Sequence, residues 1–204
     1  MPRRFLATLA AAVTLTACTH TVRLALQPQF DPGLGPASTL AAARPAVHAL
    51  AGQYADKRAD TTMLASFKQG VHTYNLYGER PIRDALFDGL RALFVRAGHT
   101  WGDSAGARVR VDVELLNVQA SRNAGLVSVG ANSSIQMKVD FVEIPTGRTV
   151  YSEIYNGTDK RSQALVGFMG MVKGSLDQSI INCIKSIGDD AKLADALRQL
   201  GTPP

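Results

Sequence analysis

IQMKVDFVEIPTGRTVYSEIYNGT, residues 135–158, sets out the fold in a single pattern. Ile135, Met137, Val139 and Phe141 alternate with Gln136, Lys138 and Asp140. Successive side chains of a strand point to opposite faces, so the alternation predicts a strand with one buried face and one wet face. Pro145-Thr146-Gly147-Arg148 reads as a turn, because proline presets φ and glycine accepts positive values. A further strand follows over 149–156, and so short a connection makes the pair antiparallel.

Working upstream, Val109, Val111, Val113 and Leu115 alternate with Arg108, Arg110, Asp112 and Glu114, which predicts another half-buried strand over 108–118. The carboxylates Asp112, Glu114, Asp140 and Glu143 then fall on an open sheet face, with Arg110 and Lys138 as cross-strand partners. Residues 119–134 are small and polar and read as an irregular connection or flexible strand ends. Ile82, Leu86, Leu90, Leu93, Phe94 and Ala97 recur at helical spacing over 81–97, with Pro81 suited to the helix start and Gly98 to its cap. A second long helix, about 164–189, puts Val172, Leu176, Ile180, Cys183, Ile184 and Ile187 on one face, and a short helix over 191–200 follows. Near the N-terminus, Val22, Leu24 and Leu26 alternate with polar or small residues as a short strand, and the Pro- and Gly-rich stretch 28–36 reads as a linker. Residues 45–78 are weakly patterned. Val47, Leu50, Tyr54, Met63, Leu64, Phe67 and Val71 supply one or two short strands there.

Each helix and each strand has one apolar face. The economical solution is an α+β two-layer sandwich: a mainly antiparallel sheet of about four strands, with the two long helices packed on one face. The expected organisation is a signal segment over 1–17, an N-terminal stretch with strand and linker over 18–45, an α+β domain over 46–190, and a short helix and tail over 191–204.

The N-terminus reads as an address. Arg3 and Arg4 precede an apolar or small-residue run from Phe5 to Ala17. A bilayer-spanning helix needs about 20 residues, so this run has the length of a secretory signal. It ends in Leu15-Thr16-Ala17-Cys18, which resembles the bacterial lipobox, where the cysteine is acylated after the signal is cut. The resemblance implies a lipid anchor at Cys18 facing the periplasm. Two or more acyl chains anchor stably where one does not, each buried methylene contributing about 0.8 kcal/mol. Thr19, where an aspartate would favour inner-membrane retention, favours the outer membrane.

The precursor carries a formal charge of +5. Two of those charges, Arg3 and Arg4, leave with the signal, and the remainder are scattered, which together with export argues against nucleic acid as partner. There are two cysteines. With Cys18 carrying lipid, Cys183 has no disulfide partner, and its place on the apolar stripe makes it a core residue.

Lipobox, LALQP (24–28), IRDALFDGLRALFVRAG (82–98), VRVDVELLNVQA (109–120), the opening stretch and an Ile-rich closing helix together resemble the YajG family of outer-membrane lipoproteins. The match covers about Ile82 to Asp190. It implies an envelope location and no established enzymatic activity or catalytic residues.

Gly102-Asp103-Ser104-Ala105-Gly106 fits G-x-S-x-G, yet a hydrolase nucleophile elbow needs a strand before the serine and a helix after it. Here the order is reversed, and His20, His48, His72 and His99 all lie upstream, so Ser104 reads as part of a polar turn. The histidines show no paired ligand spacing along the chain, so no metal site and no cofactor are expected. The interaction candidates are Leu126, Val127 and Val129 in the small-residue segment, exposed if it is a loop or edge and buried if it extends the strand. Tyr151 and Tyr155 join them, sharing one face of their strand. The expected function is a non-enzymatic lipoprotein that binds or scaffolds another envelope component. The alternatives are an accessory of a cell-wall or lipid-transport machine that contacts glycan or lipid, and a serine hydrolase using Ser104.

Overall fold

The computed structural model describes residues 18–31, 38–102, 105–124, 129–163 and 168–201. The chain runs β1 (Cys18–Leu24), a 3-10 turn (Thr39–Ala42), β2 (His48–Asp56), β3 (Ala65–Gln69), β4 (His72–Gly78), α1 (Ile82–Arg96), β5 (Thr100–Trp101), β6 (Val109–Ala124), β7 (Val129–Glu143), β8 (Thr149–Gln163), α2 (Phe168–Gly188) and α3 (Ala191–Gly201).

The strands form two sheets, a five-stranded one in the order β5-β2-β6-β7-β8 and a three-stranded one in the order β1-β4-β3. The alternating strands pair antiparallel as their short connections require. Two expectations are corrected. The architecture is not one mainly antiparallel sheet of about four strands, because β2 joins β6 and β5 in parallel and the N-terminal strand belongs to the second sheet. The weakly patterned stretch 45–78 holds three strands rather than one or two. Its alternation is blurred because β2 slips register between Ala51 and Tyr54, which moves side chains between faces within one strand. Residues 119–134 contain ordered strand as well: β6 runs to Ala124 and its ladder with β7 is continuous from Asn117 to the end.

The core lies between the large sheet and the helices. Val109, Val111, Val113 and Leu115 of β6 and Met137, Val139 and Phe141 of β7 are buried against Leu86, Leu90, Leu93 and Phe94 of α1 and Ile180, Ile184 and Ile187 of α2. Burying each such side chain stabilises by about 1.5–3 kcal/mol. Cys183 is fully buried on the same stripe, and burial pushes its thiol up to about 12, which leaves it unreactive. Gly98, at φ +85, ends α1, with Gly98 N–H donating to Val95 O and His99 N–H to Phe94 O. Leu193, Leu197 and Leu200 of α3 are buried too, so the short C-terminal helix is part of the core, set against the 3-10 turn. After β1 the chain is strapped across the helices: Gln27 N–H donates to Asp177 Oδ1 at 2.9 Å, and Arg96 donates to the carbonyls of Phe30 and Asp31.

His99 links the helix layer to the sheet. Val47 N–H donates to its Nδ1 at 3.1 Å, so the ring proton sits on Nε2 and donates to Leu40 O at 3.0 Å. Burial lowers its pKa, the Leu40 carbonyl opposes the shift, and the Arg44 charge adds to it. A folded-state pKa below the ordinary histidine value means the unfolded chain binds the proton more tightly. Stability is therefore present above about pH 6.5 and falls as pH drops below it. His99→Gln is expected to be less stable than wild type at pH 8, and urea midpoints should show the gap narrowing at pH 5. A gap that stays constant would contradict a buried neutral imidazole.

Candidate functional site

Two features lie on or beside the small sheet. The first is its N-terminal end. Cys18 is exposed and is the first residue of β1, aligned with His72 of β4. The same register places His20 opposite Tyr74 and Val22 opposite Leu76. These residues share one face, which is buried at Leu76 and opens to solvent toward Cys18. Aromatic rings line it. Phe67 of β3 stacks on Tyr74 at 5.1 Å, and Tyr74 stacks on His20 at 4.9 Å. His20 Nε2 stands 2.9 Å from His72 Nδ1. Histidines with no paired spacing along the chain are thus neighbours in the fold. Fifty-two residues separate the pair in sequence, and only the parallel β1–β4 pairing, which crosses the poorly patterned stretch, brings them together.

The second feature is an open groove of about 710 Å3 bordered by Ala65 and Ser66 of β3 and by the far halves of β6, β7 and β8. Ser133 Oγ meets Ser175 Oγ of α2 at 2.9 Å, so the neighbouring positions 132 and 134 point to the opposite face. Cross-strand pairing then sets Gln119, Ser134 and Thr158 in one row of that face and Ser121, Asn132 and Lys160 in the next. The groove is thus floored by hydroxyls, amides and one ammonium. Asn132 Oδ1 is buried and has no partner among the described residues. No described lining residue is a histidine or cysteine. Such a surface can exchange hydrogen bonds with a polar ligand or an extended chain. Further along the same face, Arg110–Asp112 and Lys138–Asp140 form ion pairs at 2.7 and 2.8 Å, each within one strand rather than across strands as expected, while Glu143 aligns with Val109 on the other face.

Among the interaction candidates, Leu126 and Val127 lie outside the described residues, as does Ser104. Val129 opens β7, paired with Ala124 and Gln163, so its backbone is part of the ladder beside the groove. Tyr151 and Tyr155 do share a face, but it is the helix-covered face. Tyr155 is 5% exposed, and both phenols donate to Asp190 Oδ2 at 2.7 Å. Burial and the neighbouring carboxylate raise both phenol pKa values. Asp190 also caps α3, its Oδ1 accepting from the amides of Lys192 and Leu193. Burial works to raise the Asp190 pKa, but the hydrogen bonds from Tyr151, Tyr155, Leu193 and Lys192 win and hold it below the usual carboxylate range. The tyrosine pair therefore joins strand to helix, and no pattern along the sequence marked Asp190 as its partner. Among the described residues no helix is long and apolar enough to cross a membrane.

No curated protein matches the chain. Among solved structures, a Xanthomonas campestris protein of the DUF330 family is 13% identical, with a TM-score of 0.61 over 87% of this chain and 97% of its own, and so shares the fold. A minor lipoprotein from Acinetobacter baumannii is 16% identical over 77% of this chain and 93% of its own, with a TM-score of 0.35. A lipoprotein from Neisseria meningitidis is 11% identical over 68% of this chain and 99% of its own, with a TM-score of 0.35. A family model described as uncharacterized lipoprotein matches residues 41–198, most of the chain, and the protein belongs to that family, the YajG lipoproteins.

Proposed function

We propose that the protein is a lipid-anchored lipoprotein of the outer membrane, facing the periplasm, that holds an envelope partner in its polar groove without transforming it. The groove carries the binding half of this reading. It is open and hydrogen-bonding, and small side chains such as Ser66, Ser121 and Ser134 along it let another backbone approach closely. The tether is Cys18. Since β1 begins at that residue, the folded sheet would sit directly on the lipid with no spacer between them. Tethering confines the search for a partner to the membrane surface and raises its effective concentration there.

The test places a photo-crosslinking residue at Ser134, in the groove, or at Val95, exposed on α1, in cells carrying either Cys18 or Cys18→Ala. The expected result is a discrete adduct from Ser134 only, lost when Cys18→Ala releases the protein from the outer-membrane fraction. Equal adducts from Val95, or membrane association that survives Cys18→Ala, would remove the reading.

A further inference from the structure

We propose that His20 and His72 form a two-imidazole site for a divalent transition-metal cation at the Cys18 end of the small sheet. The two ring nitrogens already face each other at 2.9 Å, with room for one proton between them. Metal–imidazole bonds of about 2.0–2.1 Å meeting at a tetrahedral angle put the two nitrogens about 3.3 Å apart. The separation is therefore within about 0.4 Å of a chelate's, and the two exposed rings complete it by turning until both lone pairs converge on one cation. When the cation binds, the ring that donates this hydrogen bond gives up the proton on its facing nitrogen and takes one up from solvent on its other ring nitrogen, so both ligands are neutral imidazoles, and water fills the remaining positions.

The rings are held ready. His20 lies on Tyr74 with an interplanar angle of 19°, and Tyr74 lies on Phe67 at 11°, a row of three rings across three hydrogen-bonded strands. Both strands are fixed by a seven-residue parallel ladder, so the chelate needs little further ordering. The pair is open to solvent, which gives the cation a path in. Two neutral nitrogens suit zinc and copper, and copper(II) should bind tighter, by the usual order of divalent ions. Among the described residues no group of three or more ligating side chains gathers, so the site is two-coordinate from protein and exchangeable rather than a closed structural centre.

The register also aligns Cys18 with His72, and an unmodified thiol there would compete with the imidazoles for the metal. The assay therefore uses the chain carrying Cys18→Ala, which isolates the imidazoles, alongside the membrane-extracted wild type. Zinc(II) and copper(II) are titrated by calorimetry, and the copper form is examined by electron paramagnetic resonance. The expected result is saturable one-to-one binding, a signal split by two nitrogens, and a melting temperature raised by metal. His20→Ala and His72→Ala should each weaken binding more than about tenfold, while His48→Ala leaves it unchanged. The resonance spectrum needs no variant, so misfolding of either alanine protein does not leave the question open. No saturable binding, a signal from fewer than two nitrogens, or binding lost with His48→Ala would overturn the site.

Discussion

Gly157→Ala is expected to destabilise the protein by about 3 kcal/mol or more, at the upper end for an overpacked core. Gly157 lies on the face of β8 that meets α2. A methyl group there would stand 1.9 Å from the Ser179 carbonyl oxygen and 2.5 Å from the Cys183 nitrogen. Both atoms are helix backbone, so no rotamer change relieves the clash and α2 must move off the sheet. Ser175 and Ser179, both fully buried, are the other half of this close approach. Ser179 returns its hydroxyl to Leu176 O, and Ser175 meets Ser133 across the layers. Gly170, near the start of α2, has nothing within 4 Å of its would-be Cβ. The same substitution there should stabilise by about 0.5–1 kcal/mol, as alanine does in a helix. Urea midpoints of the two variants should move in opposite directions. A Gly157→Ala protein as stable as wild type would mean that α2 does not sit this close to β8.

Asp190→Ala should cost about 3 kcal/mol through two separable losses. Removing a helix cap costs about 1 kcal/mol. Stranding a buried hydroxyl costs about 1–3 kcal/mol, and Tyr155 would be left in that state. The second loss disappears when the hydroxyl is absent, so adding Tyr155→Phe to Asp190→Ala should recover part of the stability. The double-mutant cycle measures that coupling directly. Asp190 also sets a pH dependence distinct from that of His99. Its folded pKa is depressed, so its contribution is present above the unfolded carboxylate value near 4 and is lost as pH falls below that. Asp190→Ala should flatten the acid limb of the stability profile below about pH 4, while His99→Gln alters the limb between about pH 5 and pH 7. Additive behaviour in the cycle would contradict a shared hydrogen-bond junction.

The sequence discloses the parts of this fold whose burial is periodic. The first half of β6, up to Leu115, and β7 and β8 alternate because one face meets helices and the other meets water, and α1 and α2 show continuous apolar stripes; beyond Leu115 a register shift in β6 moves the buried positions to Val118 and Ala120. Residues 48–78 were obscure for physical reasons. β2 changes register midway, β3 and β4 are short, and most of β4 is half-buried, so no single period dominates. Sheet membership was hidden for the same reason: a parallel partner reached across a long crossover leaves no turn signature. The groove was not legible: 119–134 read as a connection with apolar interaction candidates, and the strand read over 149–156 stops short of Thr158 and Lys160, which β8 carries into the groove by running on to Gln163. The His20–His72 pair could not be seen at all, because proximity created by parallel pairing is a property of the fold and not of spacing.

On the proposed function, Cys18 is the acylated first residue of the working protein. The decisive measurement is the intact mass and N-terminal peptide of protein extracted from isolated outer membranes. The expected result is a chain beginning at Cys18, heavier than its sequence by a diacylglyceryl group and a further acyl chain. A chain that keeps residues 1–17, or one that begins at or near Cys18 with no added lipid, would contradict it.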